Sequence, residues 1–499
     1  MQTWIIKKAA SSLSEKLHTT VSIESVDFTF FYQLKFKKLL IEDQSKDTLL
    51  YAGAARININ DWFFTKDKII LKYVGLDDAV VNLKRTKEDW NYQFIVDYFG
   101  STSSKKSNKQ IEFEFKKAEF NNIRFNRIDK WKGEDMLGSV KYLQANIDSL
   151  DLDKEKIIIN SLILNQPVFA QTDYQGNRPN NYQNTSSSTD TNTLATNANK
   201  TGFALFAKKV SITNGTYQND KETERAPFTD YFDPFHFAFN NINGELKNIV
   251  YQNDSLRASL TLSSKEKNGF EVKQIKSDML LTSHIMEFTK LDLRTPYSHL
   301  KDYYAMHYDD FFDDMDEFVT NVRIDCHLKD SKVSSEDIAM FAPEVNSWHR
   351  TFNVNGNAKG TVANFEVSKM NISTGNTFLR GSIGLRELPD VDHVFINFNS
   401  EGSNTQYNEI ALIFPEIKSI TQPRLDKLGD IYFKGNFTGY IKNFVAKGII
   451  NTDLGSVISD INIKLPDNEI PSYSGNLITN RFNLGAFTNS KQVGDISMN

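Results

Sequence analysis

Beyond Val21, apolar side chains recur at every second position in short runs. Ile57-Asn-Ile59-Asn alternates in this way, as do Ile111-Glu-Phe113-Glu-Phe115, Phe235-His-Phe237-Ala-Phe239 and Ile461-Asn-Ile463-Lys-Leu465. Successive side chains of a strand point to opposite faces, so each run predicts a strand with one apolar and one polar side. Asn-Gly pairs at 214–215, 243–244, 268–269 and 355–356 predict turns. Three stretches depart from period two. Ile6, Ala10, Leu13 and Leu17 form one stripe of a helix over residues 2–18. Leu300, Tyr304, Tyr308, Phe311, Met315 and Phe318 predict an internal amphipathic helix from Ser298 to Val319. Asp309, Asp310, Asp313, Asp314, Asp316 and Glu317 would crowd its remaining surface. A shorter helix is predicted from Ser334 to about Phe341, with Ser334 or Ser335 as N-cap and Asp337 in the first turn.

The pattern also repeats. Gly356-Asn-Ala-Lys-Gly360-Thr-Val-Ala-Asn364-Phe365 recurs as Gly435-Asn-Phe-Thr-Gly439-Tyr-Ile-Lys-Asn443-Phe444. More weakly, Lys116-Lys-Ala-Glu-Phe120-Asn-Asn-Ile-Arg-Phe125 resembles Lys208-Lys-Val-Ser-Ile212-Thr-Asn-Gly-Thr-Tyr217. Repetition at this scale predicts stacked β units that cover their apolar faces with neighbours. Residues 100–110 are Ser/Lys-rich, and 177–200 are mostly Asn, Thr and Ser. Both hold too little apolar surface to order themselves and are predicted to be flexible loops. The expected map is therefore a helix at 1–20, a first β segment at 21–176, a loop at 177–200, a second β segment at 201–297, a helical insertion at 298–342, and repeated β units at 343–499.

Composition sharpens this picture. The 499 residues include 37 Phe and 19 Tyr but only 11 Pro, which suits long strands because proline removes a ladder donor. With 58 basic and 63 acidic residues, a net charge of −5 gives no electrostatic reason to expect nucleic acid as a partner. No run approaches the ~20 apolar residues of a membrane span. Gln2-Thr-Trp4-Ile-Ile-Lys-Lys lacks a signal-peptide pattern. The one cysteine, Cys326, alternates with Val322 and Ile324, which predicts a buried, inert thiol and leaves no internal disulfide.

Catalytic patterns are not found. The acidic cluster at 309–317 has neither the alternate ligand spacing nor the Gly of a calcium loop, and fits the solvated face of a helix better. The eight histidines form no ligand pair, and there is no nucleophile elbow, phosphate-binding Gly loop or dinucleotide fingerprint. The expectation is a non-enzymatic chain, with no catalytic residue, metal or cofactor assigned. The useful choice concerns Phe and Ile. Alternation shows that one face is apolar, not what covers it: a second sheet would make a β-sandwich, whereas an open face would hold something other than protein. The candidate lining residues of such a face are Ile57, Ile59, Phe113, Phe115, Phe237, Phe239, Ile461 and Ile463.

Several short motifs, in order along essentially the whole chain, carry a resemblance. They are Gln2-Thr-Trp4-Ile, Val21-Ser-Ile23, Ile41-Glu-Asp43 with Asp47-Thr-Leu-Leu50, Leu291-Asp-Leu-Arg-Thr295, and Ser334-Ser-Glu-Asp337-Ile-Ala-Met-Phe341-Ala-Pro343. Later come Lys359-Gly-Thr-Val-Ala-Asn364-Phe365, Gly384-Leu-Arg-Glu-Leu388-Pro-Asp390, Asn451-Thr-Asp-Leu-Gly455, Tyr473-Ser-Gly475 and Phe482-Asn-Leu-Gly485. With them the chain resembles the TamB branch of the AsmA-like family, the inner-membrane component of the translocation and assembly module, in its Bacteroidota form. The resemblance implies a mainly β fold, an elongated, repetitive antiparallel β-groove of the bridge-like lipid-transfer kind. It implies a periplasmic segment that carries phospholipid acyl chains between inner and outer membrane in support of outer-membrane biogenesis. It also implies inner-membrane anchoring by a helix upstream of Met1, and an outer-membrane barrel partner resembling TamA. Trp4, Lys7 and Lys8 would then lie near the membrane interface. Two other readings stand beside it: a scaffold or chaperone for outer-membrane proteins that pairs client strands at its edges, and a closed β-sandwich repeat.

Overall fold

Ala10, Leu13 and Leu17 recur at helical spacing and place one face of α1 (Gln2–Leu17) against Val21 and Ile41, with Phe94 and Tyr98 packed beside them. The computed structural model describes residues 2–29, 33–60, 68–102, 110–112, 115–151, 154–179, 202–390, 393–466, 470 and 472–499. Two units are resolved, Met1–Glu271 and Val272–Asn499. As the alternation predicts, both are mainly β, with repetitive and largely antiparallel sheets. The division falls inside the expected 201–297 segment.

In the first unit β1 (Val21–Thr29), β2 (Gln33–Glu42), β3 (Thr48–Asn60) and β4 (Lys68–Arg85) form an antiparallel meander. After α2 (Gln93–Thr102), β5 (Gln110–Glu112) and β6 (Lys117–Asp129) run parallel to β4. Strand β7 (Glu134–Asp151) returns antiparallel and pairs with both β8 (Lys156–Asn165) and β9 (Val168–Asp173). These two run parallel to β10 (Ala204–Lys221), and β11 (His236–Gln252) and β12 (Ser255–Glu266) complete the unit antiparallel. Parallel neighbours require a long crossover, and the two low-complexity stretches fall within those connections, 86–116 and 174–203. The weak internal match then has a structural meaning: Lys116–Phe125 and Lys208–Tyr217 lie on β6 and β10, the strands entered from the two crossovers. Of the expected 100–110 loop, residues 100–102 belong to α2 and Gln110 to β5; 103–109 and 180–201 lie outside the described residues.

A line of left-handed positions crosses this unit. Lys38, Asp78, Asn122, Gln166, Asn214 and Asn241 all adopt left-handed backbone with φ near +50°. The pairings place them at one height: Lys37 faces Ala54, Ala54 faces Asp77, Asp77 faces Asn121, and Asn121 faces Tyr142. At Lys38, Asp78 and Asn122 the ladders skip one pair without a change of register, and the left-handed residue interrupts the alternation of its strand. Side chains seven apart, such as Leu34 and Ile41 or Val74 and Val81, therefore return to the same face. One row of that face runs Leu34–Ile57–Val74–Ala118–Ala145–Leu162 in register.

Asp233 fixes the entry to β11. Its carboxylate has no exposed surface and accepts bonds from Arg225 Nη1 and Nη2 at 2.9 and 2.6 Å, and from the Phe228 and Phe235 N–H groups at 2.9 and 3.0 Å. Burial alone would raise its pKa; the Arg225 bond and the two N–H donors outweigh this and hold the carboxyl far below the usual range. A depressed folded pKa stabilises above the unfolded value of about 4 and is lost as pH falls below it. Asp233→Asn is expected to cost about 2–4 kcal/mol at neutral pH and to flatten acid destabilisation. Circular dichroism across pH 2–7 reads both effects; identical acid midpoints in variant and parent would exclude the role.

The second unit is an antiparallel succession. It runs β13 (Glu271–Thr282), β14 (Ile285–Arg294), β15 (His299–His307), α3 (Phe311–Asp316), α4 (Phe318–Asn321), β16 (Arg323–Ser334) and α5 (Ser335–Ile338). Next are β17 (Thr351–Thr361), β18 (Asn364–Thr374), β19 (Thr377–Arg386), β20 (Phe395–Gln406) and α6 (Tyr407–Ile413). The unit closes with β21 (Asp430–Tyr440), β22 (Asn443–Thr452), β23 (Gly455–Lys464), β24 (Ser472–Asn483), α7 (Leu484–Thr488) and β25 (Asp495–Met498). Each of β14 to β25 pairs with the strand before it.

The helix expected at Ser298–Val319 is corrected. Its first half is β15, and only Phe311–Asp316 and Phe318–Asn321 are helical, so 298–342 is not a helical insertion. A spacing of four satisfies period two as well, so Leu300, Tyr304 and Tyr308 fit either element, and pairing with β14 and β16 decides. The helix expected at Ser334–Phe341 is one short turn, α5.

Candidate binding trough

The second unit carries its own crease. Lys290, Asp302, Asp330 and Lys369 are left-handed, and the ladders slip at Leu328/Ser331, Val367/Met370, Phe378/Gly381 and Ser400/Ser403. Buried serines satisfy backbone groups along this line. Ser277 Oγ donates to the Thr289 carbonyl at 2.7 Å, Ser400 to Phe433 at 2.8 Å and Ser459 to Ala446 at 2.7 Å, while the Lys301 N–H donates to Ser331 at 2.9 Å. Farther along, Gly435 faces Gly448 at the same level, with φ of 149° and 150°. A Cβ on either would fall inside the contact distance of its partner's backbone. Only glycine permits that approach.

Strands bent along one line make a trough whose axis crosses them and whose rims are the strand ends. Its inner face is apolar in every strand from β18 onward. One row runs Phe365–Leu385–Ile396–Gly439–Phe444–Ile463 in register, and another pairs Phe398, Phe437, Ala446 and Ile461. Phe437 stacks on Phe444 with centroids 4.7 Å apart. Along β21 and β22 exposure alternates residue by residue, and the inward Phe and Ile stay half-buried. A second sheet packed over them would have buried them. Instead they border a space of about 920 Å³, whose lining includes Ile431, Phe437, Phe444, Ile450, Val457, Ile461, Ile463, Leu477 and Phe482. Hydroxyls and one amide supply the lining's polarity, among them Thr452, Ser459, Thr479 and Gln422; among the described residues no charged side chain lines it. The volume is at the upper end of what small-molecule sites show.

A helical segment lies over this space. It leaves the sheet after Gln406, returns at Asp430, which pairs with Gln406, and contributes Ile410, Ile417, Ile420 and Leu425 to the lining. Its parts are α6 and the 3₁₀ turns Pro415–Ser419 and Leu425–Lys427. An equivalent segment follows β16 as α5 and the 3₁₀ turn Pro343–Ser347. A sequence signal for this device exists and was not used in the expectations above. Ser335-Glu-Asp-Ile-Ala-Met-Phe-Ala-Pro-Glu-Val-Asn-Ser347 aligns without gaps with Tyr407-Asn-Glu-Ile-Ala-Leu-Ile-Phe-Pro-Glu-Ile-Lys-Ser419. Val345 and Ile417, equivalent in that alignment, are both buried.

The expected lining residues are distributed as follows. Ile461 and Ile463 line the trough. Phe237 and Phe239 belong to the first unit, in an aromatic group where Phe237 lies 5.8 Å from Tyr217, 5.6 Å from Phe232 and 5.9 Å from Phe239. Ile57 is half-buried in that unit's apolar row, and Ile59 is placed by its backbone opposite Leu71. Phe115 is half-buried and precedes β6; Phe113 lies outside the described residues. Cys326 is buried, and burial pushes its thiol up to about 11. Among the described residues no group of three or more His, Cys, Asp or Glu is placed to hold a metal, and no helix is long and apolar enough to cross a membrane.

No family model, no curated protein and no solved structure matches the chain.

Proposed function

We propose that this chain is a non-enzymatic carrier of long hydrocarbon chains, holding lipid acyl tails in the trough of its second unit. The observation that carries the reading is an uncharged concave face, with its Phe and Ile side chains left half-exposed by the protein itself. Such a surface is costly in water, and an apolar occupant relieves the cost. Each methylene moved from water into the trough gains about 0.8 kcal/mol. A lining without charged or directional groups suits tails of any length and does not fix them at one point. The motifs resembling the TamB branch of the AsmA-like family extend the proposal. On that basis the chain is a periplasmic part of a bridge that passes phospholipid between inner and outer membrane, with a barrel partner at the outer membrane.

The test is extraction and mass spectrometry of lipids that remain on the protein after purification without detergent. Phospholipid or fatty acid at one or more per chain is expected. A folded, monodisperse chain free of lipid that also fails to take up a fluorescent C16 fatty acid would overturn the reading.

A further inference from the structure

We propose that the segment Tyr407–Leu428 is a strap that must lift for an apolar chain to enter or leave the trough from the side, with the Glu416–Lys442 ion pair as its latch. This rests on the trough being a binding site. Both ends of the strap are fixed at one rim, where Gln406 pairs with Asp430. Its middle reaches the other rim, since Lys442 lies in the turn between β21 and β22 and its Nζ is 4.0 Å from Glu416 Oε2. Between these points the strap turns Ile410, Ile417 and Ile420 toward the space beneath. A ligand arriving sideways therefore meets the strap before it meets Phe437 or Ile461.

The fastenings differ in strength. At the start of the strap Glu409 pairs with Arg350 at 3.2 Å, with both side chains at least two-thirds buried. Near its end the Arg424 N–H donates to the Phe487 carbonyl at 2.7 Å, tying the strap to α7. The Glu416–Lys442 pair is about one-third exposed on each side and longer, the kind of ion pair that holds weakly. Lifting would thus start at the latch, while the ends act as hinges. The other strap shows that the latch is not required for the strap to form. There Glu344 takes the place of Glu416, but Ala363 takes the place of Lys442, and the Ala363 N–H bonds the Val319 carbonyl at 3.0 Å instead.

The experiment measures stopped-flow uptake and release of a fluorescent C16 fatty acid by the full chain. Glu416→Cys with Lys442→Cys is compared oxidised and reduced; the buried Cys326 is left in place. Oxidation is expected to slow both rates at least tenfold, with full recovery on reduction. Glu416→Gln is measured alongside, in case the disulfide does not form, and is expected to speed both rates several-fold with less than a twofold change in equilibrium affinity. Rates that are the same in the locked, reduced and Glu416→Gln proteins would overturn the strap as a gate and leave the trough reading standing. No uptake by the parent protein would overturn both.

Discussion

Replacing Phe437 and Ile461 together by Asp is expected to weaken binding of a C16 fatty acid about a thousandfold. The two side chains share one inner row, with only Ala446 between them across the ladders. Carboxylates there would withdraw about five methylenes of a bound chain from apolar contact. At about 0.8 kcal/mol each this is about 4 kcal/mol, or three orders of magnitude in affinity. Both positions are half-exposed, so the new charges keep water and the sheet survives. Ile449 and Ile458 provide the control. They face each other on the outer side, 43% and 49% exposed, and the same pair of Asp substitutions there should leave affinity within twofold. A fluorescence titration of the parent and the two double variants decides the matter; equal affinities for the inner and outer doubles would show that the ligand does not sit in the trough.

Gly448→Val is expected to destabilise the second unit by about 3–5 kcal/mol. A Cβ there would lie 2.7 Å from the Gly435 Cα and closer still to the Lys434 carbonyl, and φ of 150° is a conformation that side chains rarely adopt. The obstruction is backbone, so no rotamer change relieves it. For a unit of this size the loss corresponds to a melting temperature lower by about 10 °C. Gly494→Val, where a Cβ meets nothing within 4 Å, should melt like the parent. Differential scanning calorimetry compares the three. A Gly448→Val transition within 2 °C of the parent would show that the crease does not depend on close approach at that point.

The strands were legible in the sequence because their alternation is clear wherever a strand is unbroken. Ile461 and Ile463 fall on the lining face for the same reason: β23 pairs with β22 without a slip, so its odd residues stay on one face from Val457 to Ile463. Phe115 shows the limit of the method, since a run of alternating residues does not say where pairing stops, and Phe115 stands outside the strand, two residues before β6. The crease was not legible. A left-handed residue shifts the period by one, so an apolar set spaced by seven looks irregular when read by twos, and residues such as Lys38, Lys290 and Lys369 carry no turn signature. The straps were legible in principle through their aligned Pro-Glu pairs at 343–344 and 415–416. The parallel crossovers left only an indirect trace, the weak likeness of β6 to β10. Which strands pair across such a connection is set by contacts far apart in sequence, and local pattern does not encode it.

The crease separates two dimensions that most binding sites adjust together. Strand length on either side of it sets the width and depth of the channel, whereas the number of strands sets its length. Between the two straps the chain adds four strands, at about 4.8 Å each, so one such repeat lengthens the channel by about 19 Å without altering its cross-section. Duplication or loss of a whole repeat would therefore change how far a cargo is carried and leave unchanged which cargo fits.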